Sequence, residues 1–250
     1  TPVVREAINR SGLSSERYEH CVLGNVLHSE ARDMYISRVA AINAGMSEGS
    51  RALTLNRLCG SGLQAVVTAT QMIQLGDVSA AVAGGAESMS RAGYLLSSHR
   101  WGKRMGDGAV IDMMTGVLTD PFGSGHMGIT AENVAKDCSV SRSEQDALAL
   151  ESHRRAVVAI TEGRFDEQIL PLAMNPKRPE QLFSCDEHVR KDIQLGDLEK
   201  MRAVFDRDGT VTAGNASSWR MQITVRSWSL PTMISLLGRL RLISLAAVSF

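Results

Sequence analysis

Between residues 51 and 85 the chain alternates in a way that leaves little choice of architecture. Arg51-Ala52-Leu53-Thr54-Leu55 reads as a short extended run. Leu63, Val66, Val67, Thr70 and Ile73 then recur at helical spacing until Gly76 stops the pattern, and Ala80-Ala81-Val82-Ala83 reads as a buried strand. Strand, helix and strand in that order predict parallel pairing through a helical crossover, and so an α/β fold. Upstream, His20-Cys21-Val22-Leu23-Gly24-Asn25-Val26-Leu27 reads as a further strand. Before it, Thr1-Pro2 opens a helix as N-cap and first-turn proline, ending at Gly12; after it, a second helix is predicted over 34–44, stopped by Gly45. Gly84-Gly85 at the last strand's end would let another backbone or a ligand approach closely.

At the strand-to-helix junction stands Asn56-Arg57-Leu58-Cys59-Gly60-Ser61-Gly62. Cys59 is predicted just before a helix N-terminus, where free backbone N–H groups and the helix dipole favour a thiolate and could hold an oxyanion. The plain alternative is a small buried hydrophobe, the commoner role of a lone cysteine. Gly60-Ser61-Gly62 is a weak match to a dinucleotide-binding loop, because the third glycine and the ribose-binding acid are missing.

Charge excludes some functions. The 27 basic and 27 acidic residues balance to zero, so nothing global points to nucleic acid or a charged membrane, and a nucleotide ligand would need a local basic site. The four cysteines, Cys21, Cys59, Cys138 and Cys185, are too widely spaced for a Cys-x-x-Cys metal site, and reduced thiols in a cytoplasmic protein are expected rather than a disulfide framework. There is no signal peptide and no long uninterrupted apolar span, and the start at Thr1 fits a fragment or a processed product. At 44% apolar but only 4% aromatic, the core of this 250-residue chain must be built from Ala, Val, Leu, Ile and Met.

From about residue 90 to 202 strand alternation weakens and glycine, methionine and charged residues mix. Ser141-Arg142-Ser143-Glu144 is a capping-box pattern, predicting a helix through Ala147, Leu150, Ala156, Val157 and Ile160 to Gly163. Residues 218–250 differ again. They contain no Asp, Glu or Lys, yet four Arg, six Ser and two of the three Trp. Residues 236–245 are apolar enough to raise a basic amphipathic membrane helix, but Ser, Thr and Pro interrupt the segment and it is short for a span.

Four segments in order carry a resemblance: Asn56 to Ala65 with Gly76-Asp77, Val82-Ala83-Gly84-Gly85-Ala86-Glu87-Ser88-Met89-Ser90, His126-Met127-Gly128-Ile129-Thr130-Ala131-Glu132-Asn133, and Gly209-Thr210-Val211-Thr212-Ala213-Gly214-Asn215-Ala216-Ser217. Over residues 1–217 the chain resembles the thiolase family. The resemblance implies an α/β fold, a thiolase-like N-terminal half whose mixed, mostly parallel sheet carries helical layers, with an inserted coenzyme A-binding loop domain and the second lobe absent. By the same resemblance 1–89 and 203–217 form the core lobe with its leading strand missing, and 90–202 the loop domain. The tail 218–250 does not continue the family pattern and is expected to be out of frame.

The family's reaction is thiolytic cleavage of 3-ketoacyl-CoA, or the reverse condensation, through an acyl-thioester on Cys59, as in fatty acid metabolism. Trp101-Gly102-Lys103-Arg104-Met105-Gly106-Asp107 and Arg32-Asp33-Met34-Tyr35 look most like bacterial 3-ketothiolases of short to medium chain length. No cofactor is tightly bound; coenzyme A and acyl-CoA are substrates, and no metal is implied. Leu118, His126 and Met127 would line the pantetheine tunnel, Arg190 would pack on the adenine, and Phe205, Ala213 and Ser217 would make other coenzyme A contacts. Taken alone, His126 reads as a satisfied polar residue at a helix start. Asp197 replaces a family serine near the adenine pocket, where an acid is unfavourable beside a phosphate. Cys21 and Cys185 match no catalytic position, nor does Cys138, just after a predicted 130–136 helix. Full-length family members are homodimers or homotetramers.

An ordinary thiol, with a pKa of about 8.5, is only a few per cent thiolate at neutral pH. A helix terminus offers about 0.3 to 1 kcal/mol, so strong activation needs a base. The resemblance places that base in a Gly-His-Pro segment, a second cysteine in Cys-x-Gly and a water-orienting Asn-Glu-Ala-Phe, none of which occurs here. The chain alone is therefore expected to be a poor condensation catalyst that retains weak acylation of Cys59. Competing readings are a non-catalytic coenzyme A-binding or interaction module, a ketoacyl synthase relative, and a pseudogene product that does not fold stably.

Overall fold

The computed structural model describes residues 1–173, 175, 177–216 and, as backbone, 242–244. It divides into two compact units, Thr1–Met114 with Arg220–Phe250, and Thr115–Trp219. Residues 90–114 thus fall in the first unit and 203–216 in the second.

In the first unit α1 (Pro2–Ser11) begins with proline in its first turn and closes on Gly12, whose φ of 72° places it in the left-handed region and whose N–H donates to the Asn9 carbonyl. β1 (His20–Gly24) follows. It stops three residues short of the predicted end, at Leu27, because the Val26 and Leu27 amides turn to the Glu87 carboxylate at 2.8 and 3.0 Å instead of a neighbouring strand. α2 (Ile36–Asn43) starts later than the periodicity predicts, since residues Ala31–Tyr35 form a tighter 3₁₀ turn. Asp33 causes this: its carboxylate takes the Ser29 and Glu30 amides at 2.7 and 3.0 Å. Then come β2 (Arg51–Leu55), α3 (Ser61–Gln74) and β3 (Ala81–Gly85), with a small hairpin of β4 (Tyr94–Leu95) and β5 (Ile111–Asp112).

β1 lies between β2 and β3, parallel to both, with His20 opposite Arg51 and Ala81. Leu242–Ser244 adds a fourth parallel strand on β3; other expectations for 218–250 lie outside the described residues. β1 is buried along its whole length, as a central strand must be. Its alternate residues serve opposite faces: Cys21 and Leu23 join Val4, Ile8, Ala40 and Ala41, whereas Val22 joins Ala65, Ala69 and Ala83. Burial pushes the Cys21 thiol up to about 12, which makes it a core hydrophobe.

α3 seats small residues deepest on the sheet, with Val66 and Ile73 of the predicted apolar set packed partly buried beside them. Ser61, Ala65 and Ala69 are buried, while Leu63 and Val67 are 72% and 40% exposed. The sheet dictates this. A Cβ on Gly24 would lie 2.7 Å from Ser61 Cβ, and one on Gly85 only 3.1 Å from the Gly24 carbonyl oxygen. Only small residues fit where helix and sheet come this close.

The second unit holds α4 (Met113–Val117), which begins at the boundary, β6 (Thr119–Asp120), β7 (Gly125–His126), α5 (Met127–Asp137), α6 (Arg142–Thr161), β8 (Leu172–Ala173), β9 (Leu182–Phe183) and α7 (Leu195–Glu199). β6 pairs antiparallel with β7, and β8 with β9. α6 opens with the predicted capping box: the Ser141 amide donates to Glu144 at 2.8 Å and the Glu144 amide to Ser141 Oγ at 3.3 Å.

Gly24→Ala should lower unfolding stability by about 1–3 kcal/mol, since helix or sheet must shift. Gly62→Ala, with nothing within 4 Å of the added carbon, should be neutral or mildly stabilising in urea titration. His20 makes a second prediction. It is buried with Nδ1 unpartnered, and desolvation leads the effects that lower its pKa. Below its ordinary value of about 6.5 the unfolded chain takes up the proton more readily, so stability should fall as pH drops through that value. His20→Gln should flatten part of that slope between about pH 7 and 5; an identical slope would remove His20 as its source.

Candidate active site

Cys59 sits on a corner whose shape is set by hydrogen bonds from its own segment. After β2, Leu58 takes a φ of 47°, the left-handed region that a branched side chain resists by about 1–2 kcal/mol. Four bonds hold it there. The Leu58 amide donates to Asn56 Oδ1 at 2.9 Å, the Arg57 amide to Ser61 Oγ at 2.8 Å, and that hydroxyl donates to the Leu58 carbonyl at 2.6 Å. The Gly60 amide reaches the Arg57 carbonyl at 3.0 Å. Ser61, the first residue of α3, is therefore both a packing residue against Gly24 and the pin of the loop.

The result is an exposed thiol two residues before α3. The Gly60 and Ser61 amides are engaged by the Arg57 and Leu58 carbonyls. The Cys59 amide donates to nothing among the described residues, which leaves it as a donor for an oxyanion formed at its own sulfur. The Arg57 guanidinium binds the Gln64 side chain across the first turn of the helix. Behind the loop, Asn25 Nδ2 donates to the Ala86 carbonyl at 2.8 Å, and the Glu87 carboxylate already described ties the ends of β1 and β3 together. The close approach expected at Gly84-Gly85 is made by backbone: Gly85 faces the Gly24 carbonyl and, at 3.7 Å from its Cβ position, Gly62 Cα. No hydrogen bond joins Cys59 to a histidine among the described residues, nor does any group of three or more His, Cys, Asp or Glu there form a metal site.

In the second unit the structure brings together Leu118, His126, Met127 and Phe205. The Met127 amide donates to the Leu118 carbonyl at 2.7 Å where β6 and β7 close their hairpin. His126 caps α5, its Nδ1 accepting the Gly128 amide at 3.0 Å, which places its proton on Nε2. Its ring stacks on Phe205 with centroids 4.9 Å apart and planes 17° apart. A side chain at Gly128 would collide with the Phe205 ring, so the glycine makes room for that stack. The helix-cap reading of His126 is therefore met, and the same ring is stacked on Phe205.

Phe205 owes its position to a polar clamp that motif reading alone did not single out. Glu132 on α5, 9% exposed, accepts the Thr210 amide at 2.8 Å, the Thr210 hydroxyl at 3.1 Å and the Val211 amide at 2.7 Å. Asn215 accepts the Thr212 amide at 2.7 Å and donates to Asp146 at 2.9 Å and the Thr210 carbonyl at 3.0 Å. Asp146, fully buried on α6, pairs with Arg142 at 2.7 Å, and Arg142 also donates to the Leu198 and Met201 carbonyls. Both Glu132 and Asn215 stand inside the motif segments, and a carboxylate among apolar helix residues and an amide in a glycine-containing turn were the available signals.

Ala213 is exposed on the Thr212 to Asn215 turn, and Ser217 lies outside the described residues. Arg190 is exposed and is tied by its amide to His153 Nδ1 at 3.3 Å; no hydrogen bond or ring contact joins it to Phe205 among the described residues. Asp197 uses its carboxylate on the Gln194 amide at 3.0 Å, at the start of α7. Cys138 and Cys185 are exposed.

Glu132→Ala should leave two amides without their acceptor and cost about 1–3 kcal/mol per unpaired group, with Glu132→Gln losing less; equal stability of the two in urea titration would show that the clamp acts only through its volume.

Three comparisons bear on this arrangement. A family model described as Thiolase, N-terminal domain, matches residues 1–219. The beta-ketothiolase BktB of Cupriavidus necator is 56% identical over 216 residues, 86% of this chain and 55% of that protein. An acetyl-CoA acetyltransferase of Syntrophomonas wolfei is 41% identical over 218 residues, 86% of this chain and 54% of that protein. Among solved structures, the Bacillus anthracis acetyl-CoA acetyltransferase superposes with a TM-score of 0.82 at 41% identity, over 87% of this chain and 55% of that one. Human mitochondrial 3-ketoacyl-CoA thiolase in complex with CoA gives 0.82 at 36%, over 86% and 54%. The chain spans about half the length of the relatives it matches.

Proposed function

This chain belongs to the thiolase family, as its N-terminal half, and on that premise we propose that it carries the acyl-accepting part of an acyl-CoA C-acyltransferase. The observation that carries the reading is the Cys59 corner: an exposed thiol on a strained strand-to-helix turn with its own amide unengaged. The Cys59 thiolate attacks the carbonyl carbon of an acyl-CoA thioester. The carbonyl oxygen becomes an oxyanion that accepts the Cys59 N–H, and collapse expels the coenzyme A thiolate and leaves the acyl group on sulfur. One thioester replaces another, so the step is close to balanced in free energy and runs in both directions. In thiolysis the Cys59 sulfur attacks the 3-keto carbon of a 3-ketoacyl-CoA, and the electron pair of the 2,3-bond leaves as the enolate of acetyl-CoA and takes up a proton. The deprotonated coenzyme A sulfur then takes the shortened acyl group and releases the Cys59 thiolate.

The coenzyme A side of the reading rests on the second unit. Leu118, Met127 and the His126–Phe205 stack offer an apolar and aromatic surface suited to pantetheine, and Ala213 stands on the clamped loop; Ser217, the further contact the resemblance implies, lies outside the described residues. Arg190 offers an exposed guanidinium for adenine or phosphate. That human relative's complex with CoA supports coenzyme A as the ligand class. Condensation needs a second proton-moving group as well, and the segments that the family resemblance assigns to this role are not in the sequence. Loss of a general base typically costs about 10²- to 10⁴-fold. No helix among the described residues is long and apolar enough to cross a membrane. A cytoplasmic acyltransferase that assembles as a dimer or tetramer is the proposed setting.

Incubating the 250-residue chain with acetyl-CoA should add one acetyl group, read by intact mass, and peptide mapping should place it on Cys59. Cys59→Ser should abolish the label while the exposed Cys138 and Cys185 remain. Labelling that survives this substitution would overturn the nucleophile assignment. Coenzyme A binding without any acylation would favour the module reading, which the His126–Phe205 surface alone satisfies.

A further inference from the structure

In the second unit α6 meets the chain that follows β9 at a cluster of basic side chains. His153 lies past the middle of α6 with its ring 6.2 Å from that of His188, tilted by 34°. Its Nδ1 accepts the backbone N–H of Arg190 at 3.3 Å. An imidazole nitrogen accepts only when it carries no proton, so the bond exists only for the neutral ring with its hydrogen on Nε2. Partial burial acts first to hold the His153 pKa below its ordinary value, then the charges of His188 and Arg190. On its own helix the neighbouring carboxylate, Glu151, is engaged by both Arg154 and Arg155. No carboxylate forms an ion pair with His153 among the described residues.

We infer that His153 is a positioning residue for Arg190: the neutral imidazole anchors the Arg190 backbone so that its exposed guanidinium is held for the nucleotide end of coenzyme A. The inference rests on the reading of Arg190 as a nucleotide contact made above. Protonation turns Nδ1 from acceptor to donor, so two N–H groups face each other and the anchor is lost. The same proton adds positive charge beside His188 and Arg190. Charge alone would draw phosphates more strongly in acid. Positioning predicts the opposite sign, weaker nucleotide binding in acid, and this opposition makes the two separable.

The test is calorimetric titration of the 250-residue chain with coenzyme A and with pantetheine, which lacks the nucleotide, at about pH 8 and about pH 5.5, either side of the ordinary histidine value. His153→Gln is the matched variant, because its amide oxygen can accept the Arg190 N–H at every pH. The ligand phosphate titrates near about 6 in both proteins, so the readout is the difference between them. The unsubstituted chain should lose about three- to tenfold more coenzyme A affinity on acidification than His153→Gln, the worth of one hydrogen bond. Pantetheine should show no such difference. Hydrogen exchange of the Arg190 amide supplies an independent readout, with protection expected to fall in acid only when position 153 is histidine. Parallel acid loss in the two proteins, or tighter binding in acid that the glutamine removes, overturns the inference while leaving coenzyme A binding intact. Absence of coenzyme A binding at every pH overturns the parent reading as well.

Discussion

The close seat of α3 on the sheet governs the first unit. Gly24, Gly85, Ser61, Ala65 and Ala69 remove side-chain volume from the contact, and the helix comes down until a Cβ on Gly24 would lie only 2.7 Å from Ser61 Cβ. That depth decides where the helix can begin and so how sharply the chain must turn after β2. Leu58 absorbs the turn in a left-handed conformation, and the next residue is the exposed thiol. The strain is small beside the packing that maintains it, which is the usual condition for strain to persist at a reactive position. Ser61 links the two, because the same residue lies under the helix and bonds the loop from both sides.

The second unit reaches the same end with charge instead of close packing. Glu132 and Asn215 satisfy the amides of a loop that has no regular secondary structure of its own, and Asp146 with Arg142 holds that network against α6. A buried carboxylate is tolerable because several donors meet it. The loop so fixed presents Phe205 to His126, and the missing side chain of Gly128 sets how near the rings come. Ser61 under Cys59 and Glu132 under the Phe205 loop are buried, so each placing residue is tied into the packing of its own unit.

Which parts of this were legible in sequence follows from the range of the interaction. The helix starts at Thr1-Pro2 and Ser141 to Glu144 and the stop at Gly12 are local, and the structure has them where the residues say. The parallel order of β1, β2 and β3 followed from strand and helix alternation. The buried face of α3 followed only in part: Val66 and Ile73 pack on the core as their spacing says, but the deepest positions are Ser61, Ala65 and Ala69, which apolar periodicity does not mark. The end of β1 at Gly24 was equally hidden, since it depends on Glu87, more than sixty positions away. The clamp on the Phe205 loop is of the same kind: Glu132 and Thr210 are distant in sequence, and neither residue type announces the other. Family likeness singled out Leu118, His126, Met127 and Phe205 as candidate contacts, but only geometry shows His126 capping its helix through one nitrogen while its ring stacks on Phe205.

Magnitudes define what the Cys59 corner supplies by itself. The helix start contributes about 0.3–1 kcal/mol towards the thiolate. One well-placed oxyanion donor is worth about 2.7–4 kcal/mol in an acyl-transfer transition state, and on the proposed reading the unengaged Cys59 amide would be such a donor. A general base adds a further 10²- to 10⁴-fold, about 2.7–5.4 kcal/mol at 1.36 kcal/mol per tenfold. On the proposed reading the corner would hold the nucleophile and one stabilising contact, which by these magnitudes amounts to slow transfer from one sulfur to another. Carbon–carbon bond formation also requires a proton to be taken from the second acyl group, and no histidine or second cysteine is hydrogen-bonded to Cys59 among the described residues to take it. The two halves of the chemistry differ in what they ask of the protein: acyl transfer asks for a shaped backbone, which one strand-to-helix turn provides, and condensation asks for a titrating side chain opposite it.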